Sequence, residues 1–66
     1  MTQITLNGEP MQTPHATLAE LIDSLRLGNK RFAVEANQTL VPKSQLKTTA
    51  ITEGMTIEVV VAVGGG

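Results

Sequence analysis

The residues of this sequence that could do chemistry stand at its close: Val63-Gly64-Gly65-Gly66, three glycines directly after an apolar run. A terminal carboxylate on Gly66 sits on a stem without side chains. Three extended residues span roughly 10 Å at about 3.3–3.6 Å each, and glycine accepts backbone conformations closed to other residues. Such a stem fits a narrow active site on another protein. The reading is therefore that Gly66 carries the reactive group and that Gly65, Gly64 and Val63 are inserted with it. The plainer alternative is a frayed end, since termini collect small residues. A free α-carboxylate is an anion at neutral pH and resists nucleophilic attack. One oxygen must first be converted into a leaving group, which is work for a partner's catalyst.

The remaining side chains offer little. Cysteine is absent, so the chain itself holds no thiol nucleophile, disulfide or thiolate metal site. His15 is the only histidine; beside Pro14 it reads as a solvated loop residue, with no second histidine to build a metal site. Met1, Met11 and Met55 read as apolar filler or surface. Lys30-Arg31 and Lys43/Lys47 suit an acidic partner surface, although such charges ordinarily solvate a loop.

Sixty-six residues make one domain, which buries only about 60% of the surface its unfolded chain exposes. That leaves little room for a catalytic cleft beside a core, so the chain reads as a carrier or binding module rather than an enzyme. A hydrophobic share of 41% and a charged share of 17% argue against disorder. Five basic against six acidic residues, with Phe32 the only aromatic, give no nucleic-acid footprint. No apolar run has the length of a membrane span. The start lacks a basic segment followed by an apolar one, so the cytoplasm is the expected location.

The elements that must position the tail can be read from pattern. Gln3 to Leu6 alternates and reads as a strand. Asn7-Gly8 is the strongest short hairpin signal. A second strand then runs over Glu9–Thr13, with Met11 as its main apolar contact and Pro10 suited to an edge. Thr17 with Glu20 forms a capping box. Leu18, Leu21, Ile22 and Leu25 share one helical face, and Gly28 stands where a left-handed residue ends a helix, so the helix is expected over about Leu18–Leu27. Phe32–Ala36 and Thr39–Val41 read as strands about an Asn37-Gln38 turn, stopped by Pro42. Leu46 anchors a polar stretch with room for one helical turn, and Glu53-Gly54 is a turn. Thr56–Val63 is the longest strand.

Its alternation puts Ile57, Val59 and Val61 on one face and Glu58, Val60 and Ala62 on the other. With the first set against the helix, Val60 and Ala62 form an apolar outer patch for partner binding. The helix stripe packs on Ile4, Leu6, Val34, Ile57 and Val59. The expected fold class is α+β, a ubiquitin-like β-grasp with a mixed sheet of four to five strands on one main helix. Residues 1–63 form the domain and residues 64–66 a flexible glycine tail.

Several segments together resemble a known family. They are Ile4-Thr5-Leu6-Asn7-Gly8-Glu9, Thr17-Leu18-Ala19-Glu20-Leu21-Ile22, Ala33-Val34-Glu35-Ala36-Asn37, Val41-Pro42-Lys43-Ser44, Ile57-Glu58-Val59 and Val63-Gly64-Gly65-Gly66. In that order they resemble the sulfur carriers of thiamine biosynthesis, the ThiS family, over essentially the whole chain. Glu53-Gly54-Met55 departs from the family's Asp-Gly-Asp-like turn, and Ala36 stands where a larger apolar residue is usual.

The resemblance implies a carrier cycle in which this chain binds no cofactor. An E1-like adenylyltransferase uses ATP to adenylate the Gly66 carboxylate. A persulfide from a cysteine desulfurase converts the adenylate to a thiocarboxylate. Thiazole synthase receives the sulfur. The alternatives are a sulfur carrier of the molybdopterin synthase small-subunit type, a ubiquitin-like modifier joined to lysine, or a plain β-grasp binding module with an inert tail.

Overall fold

At the first turn, Asn7 and Gly8 adopt φ of 50° and 84°, the doubly positive pair that a tight type I′ hairpin demands. They join β1 (Thr2–Leu6) to β2 (Glu9–Thr13) in antiparallel register, with Leu6 opposite Glu9 and Ile4 opposite Met11. The computed structural model describes residues 1–62; the expected tail, 64–66, and its boundary at Val63 lie outside them. The further elements are α1 (Leu18–Ser24), β3 (Phe32–Ala36), β4 (Thr39–Val41), a 3₁₀ turn (Lys43–Gln45) and β5 (Met55–Val61). The five strands form one sheet in the order β2-β1-β5-β3-β4. β5 runs parallel to β1 and antiparallel to β3, so the sheet is mixed and the last strand lies at its centre. β2 is an edge strand, where Pro10, paired with Thr5, withholds no ladder bond by the antiparallel alternation.

The helix starts as its capping residues dictate and stops earlier than they suggest. Thr17 Oγ1 accepts from the Glu20 N–H at 3.3 Å. Glu20 Oε1 returns not to the cap residue but one residue further back, accepting from the Ala16 N–H at 3.0 Å. The Leu18 and Ala19 N–H groups donate to the Thr49 and Leu46 carbonyls, both at 3.0 Å. Three of the donors that every helix start leaves unpaired are thereby satisfied.

Gly28 is left-handed as expected, at φ 65°, but the expected helix end at Leu27 is corrected: α1 ends at Ser24, Leu25 is its C-cap, and Arg26 already takes the left-handed position at φ 56°. A non-glycine residue there is uncommon. The Arg26 N–H donates to the Asp23 carbonyl at 3.2 Å, and the turn brings Leu27 back against the core that holds Ile22, the apolar contact that accompanies such stops. The packing of half-buried Leu27 offsets the backbone preference.

The core lies between α1 and the inner sheet face. Leu18, Leu21 and Ile22 pack with Ile4, Val34, Ile57 and Val59 as the stripe requires, while Leu6 and Leu25 are only partly buried. Two expectations shift. Met11 is 37% exposed and does not anchor β2; Thr13, 1% exposed, is its buried residue. Met11 faces inward beside Ile4 but stands on the sheet edge, beyond the cover of the helix. The last strand begins one residue early, at Met55, and Met55 joins the core along with Ala36, Leu46 and Ile51. Ile51 is drawn in by a bridge of Ala50 to Thr17, with its N–H on the Ala16 carbonyl at 2.9 Å.

Candidate functional site at the exit of the last strand

β5 delivers the chain to its tail, and two asparagines hold it. Beyond the end of β1, the Asn7 N–H donates to the Ile57 carbonyl at 2.9 Å, and Asn7 Oδ1 accepts from the Val59 N–H at 2.8 Å. On the other side, the Asn37 N–H donates to the Thr56 carbonyl at 2.7 Å, and Asn37 Oδ1 accepts from the Thr56 N–H at 3.0 Å. Both asparagines are left-handed hairpin residues, Asn37 at φ 52° followed by Gln38 at φ 70°. Asparagine tolerates the positive φ that each turn requires, and its amide oxygen here reaches β5. At the exit, the Ala62 N–H donates to the Arg31 carbonyl at 2.9 Å, so the backbone is tied to the sheet up to the last described residue.

The two faces of this exit differ. Val59 is buried and Val61 packs against the core, whereas Val60 is 63% exposed. Val60 lies opposite Ala33 in the β3–β5 register, and Ala62 is exposed one step further along. With Arg31, Phe32 and Ala33 they line a shallow depression of about 240 Å³. Leu40 on β4, 62% exposed, stands opposite Glu35, and Glu35 stands opposite Glu58. The outer face thus carries a small apolar patch beside two facing carboxylates, a like-charge pair that costs stability. Val60 and Ala62 were legible from strand alternation. Ala33 was not, because its place beside Val60 depends on register between strands distant in sequence.

Val63, Gly64, Gly65 and Gly66 lie outside the described residues. His15 is half-buried, and its N–H donates to Thr13 Oγ1 at 3.2 Å. Among the described residues no group of three or more histidine or acidic side chains could hold a metal ion. None of their helices is long and apolar enough to cross a membrane.

Comparison with known proteins places this fold. A sequence model of the ThiS family matches residues 4–66. The chain belongs to the ThiS family. ThiS from Geobacter metallireducens, a thiamine biosynthesis protein, has the same fold. Its crystal structure superposes with a TM-score of 0.79 at 25% identity, covering 98% of this chain and all of that one. Its solution structure gives 0.80 at 25% identity, covering 98% and 88%. The five-stranded mixed sheet on one helix is therefore the ubiquitin-like β-grasp of ThiS.

Among proteins similar in sequence, the uncharacterized protein ycf40 of Porphyra purpurea is 34% identical over 64 residues, 96% of this chain and 90% of the relative. A thiazole synthase of Paramagnetospirillum magneticum is 32% identical over 65 residues, 97% of this chain. The chain spans only 20% of the length of that synthase.

Proposed function

We propose that this chain is a sulfur carrier for the thiazole moiety of thiamine, with the sulfur held as a thiocarboxylate on Gly66. The observation that carries the reading is the ThiS-family match, which runs through the glycine tail to residue 66. A ThiS-like segment within a thiazole synthase supports the synthase as the acceptor, since a carrier joined to its acceptor delivers at high effective concentration.

In this cycle a Gly66 carboxylate oxygen attacks the α-phosphorus of ATP on an E1-like adenylyltransferase, and pyrophosphate leaves. A persulfide from a cysteine desulfurase attacks the acyl carbon, and AMP leaves. A thiol then cleaves the sulfur–sulfur bond of the acyl disulfide, freeing the thiocarboxylate. ATP is bound by the activating enzyme; the carrier, working in the cytoplasm, is its co-substrate. With no cysteine in the chain, the acyl carbon is the attachment point for the sulfur. Gly65 and Gly66 let the reacting atoms approach to about 3–3.5 Å, Gly64 and Val63 form the stem, and Val60 and Ala62 meet the partner's surface. The thiamine-family match favours this cargo over that of a molybdopterin-type carrier.

Intact mass spectrometry after incubation with ATP, a sulfur source and the cognate E1-like enzyme tests the cycle. The expected result is a gain equal to sulfur replacing one oxygen, located on the last residue. An unchanged mass, or lysine conjugates that resist thiol reductants, would point instead to an inert module or a modifier.

A further inference from the structure

All five basic residues fall between positions 26 and 47, and the fold gathers three of them at one cleft. It opens between the end of α1, the start of β3 and the 3₁₀ turn, with a volume of about 350 Å³. Ile22 and Leu46, both buried, and half-buried Phe32 give it an apolar floor. The exposed side chains of Arg26, Lys43 and Lys47 stand around that floor, with Asp23 as the single acid lining it. Lys43 Nζ lies 4.6 Å from the centre of the Phe32 ring, a cation–π contact that keeps this charge at the cleft. The acidic residues other than Asp23 line no part of it.

We propose that this cleft docks an acidic segment of a partner protein. One apolar side chain of the segment rests on Ile22, Phe32 and Leu46, and flanking carboxylates meet Arg26, Lys43 and Lys47. Charge complementarity selects the occupant: three cations against one anion attract carboxylates, and the floor rewards an aliphatic group. A small free anion uses the charges but leaves the floor wet. Phe32 also lines the depression beside Val60 and Ala62 on the opposite sheet face, so the cleft borders the exit of β5. The inference uses no step of sulfur transfer and is tested on the chain alone.

The test is an amide NMR titration with a capped peptide of one leucine flanked on each side by two acidic residues. Shifts are expected at Arg26, Leu27, Phe32 and Lys43 to Lys47. They should weaken between about 0.1 and about 1 M salt, where the screening length falls from about 10 to about 3 Å. Reversing two charges with Lys43→Glu and Lys47→Glu should weaken binding about tenfold or more, with amides outside the cleft unmoved. Glu9→Gln, exposed on the far edge strand, should bind as the parent does. Four outcomes overturn the proposal: no shifts at the cleft, the same shifts from inorganic pyrophosphate at equal concentration, equal binding when serine replaces the peptide's leucine, or undiminished binding by the charge-reversed chain.

Discussion

The two ends of β5 are built differently. Its start, Met55 to Ile57, is flanked by β1 on one side and by the end of β3 with Asn37 on the other. Its inward side chains are almost wholly buried, Ile57 completely so. Its exit, Val59 to Ala62, has β3 and Arg31 on one side; on the other, Asn7 reaches only as far as Val59. Beyond that point no strand lies along this edge among the described residues, and Val60 is bare. One end of a single strand holds the domain together and the other leads into the glycine tail. The buried start and the bare exit are therefore separable by mutation along one strand.

The largest effect should come at the far end of the stem. On the proposed cycle, Gly66→Val abolishes ATP–pyrophosphate exchange by the activating enzyme, because a branched side chain keeps the carboxylate from the phosphate. Its urea midpoint should match that of the parent. Normal exchange breaks the division of labour at its functional end, and a shifted midpoint breaks it at the structural end.

Next is the paired truncation of β5. Ile57→Ala removes a fully buried side chain at the start and should cost about 2–5 kcal/mol, a large part of the stability of so small a domain. Val61→Ala at the half-buried exit should cost less than half of that by the same denaturation measurement. Equal losses remove the contrast.

The smallest effect separates the two asparagines. Asn7→Ala and Asn37→Ala each lose one side-chain acceptor for a β5 amide, part-buried for Asn7 and exposed for Asn37, and a residue that tolerates positive φ, for about 1–2 kcal/mol apiece. Hydrogen exchange should tell them apart: the first speeds exchange at the Val59 amide, the second at Thr56. Equal acceleration at both amides would show that the latches act globally rather than at their own ends of the strand.

Where local chemistry decides structure, the sequence is readable. Asn7-Gly8 and Asn37-Gln38 make hairpins because of backbone sterics within two residues. Thr17 and Glu20 start a helix because orphaned N–H groups need acceptors close by. Leu18, Leu21 and Ile22 face inward because 3.6-residue periodicity leaves them nowhere else to go. Met11, Thr13 and Ile51 were not readable in this way. None lies in a run of apolar residues with a clear period, and whether each is buried depends on how the distant segments pack around it. The early stop at Arg26 belongs with them, since the packing of half-buried Leu27 against the core ends the helix before the left-handed glycine is reached. The candidate site divides in the same manner: Val60 and Ala62 followed from alternation, but their neighbour Ala33 required the register.

By itself, then, the sequence determined the turns, the helix start, the apolar stripe and the family, because these depend on residues a few positions apart or on the order of residue types along the chain. Only the tertiary structure decided that the last strand occupies the centre of the sheet, that two asparagines 30 positions apart clamp its opposite edges, and that Arg26, Lys43 and Lys47 share a cleft. Those arrangements arise from pairing and burial between segments distant in sequence. Their free energy belongs to the assembled sheet and helix, and no local window contains it.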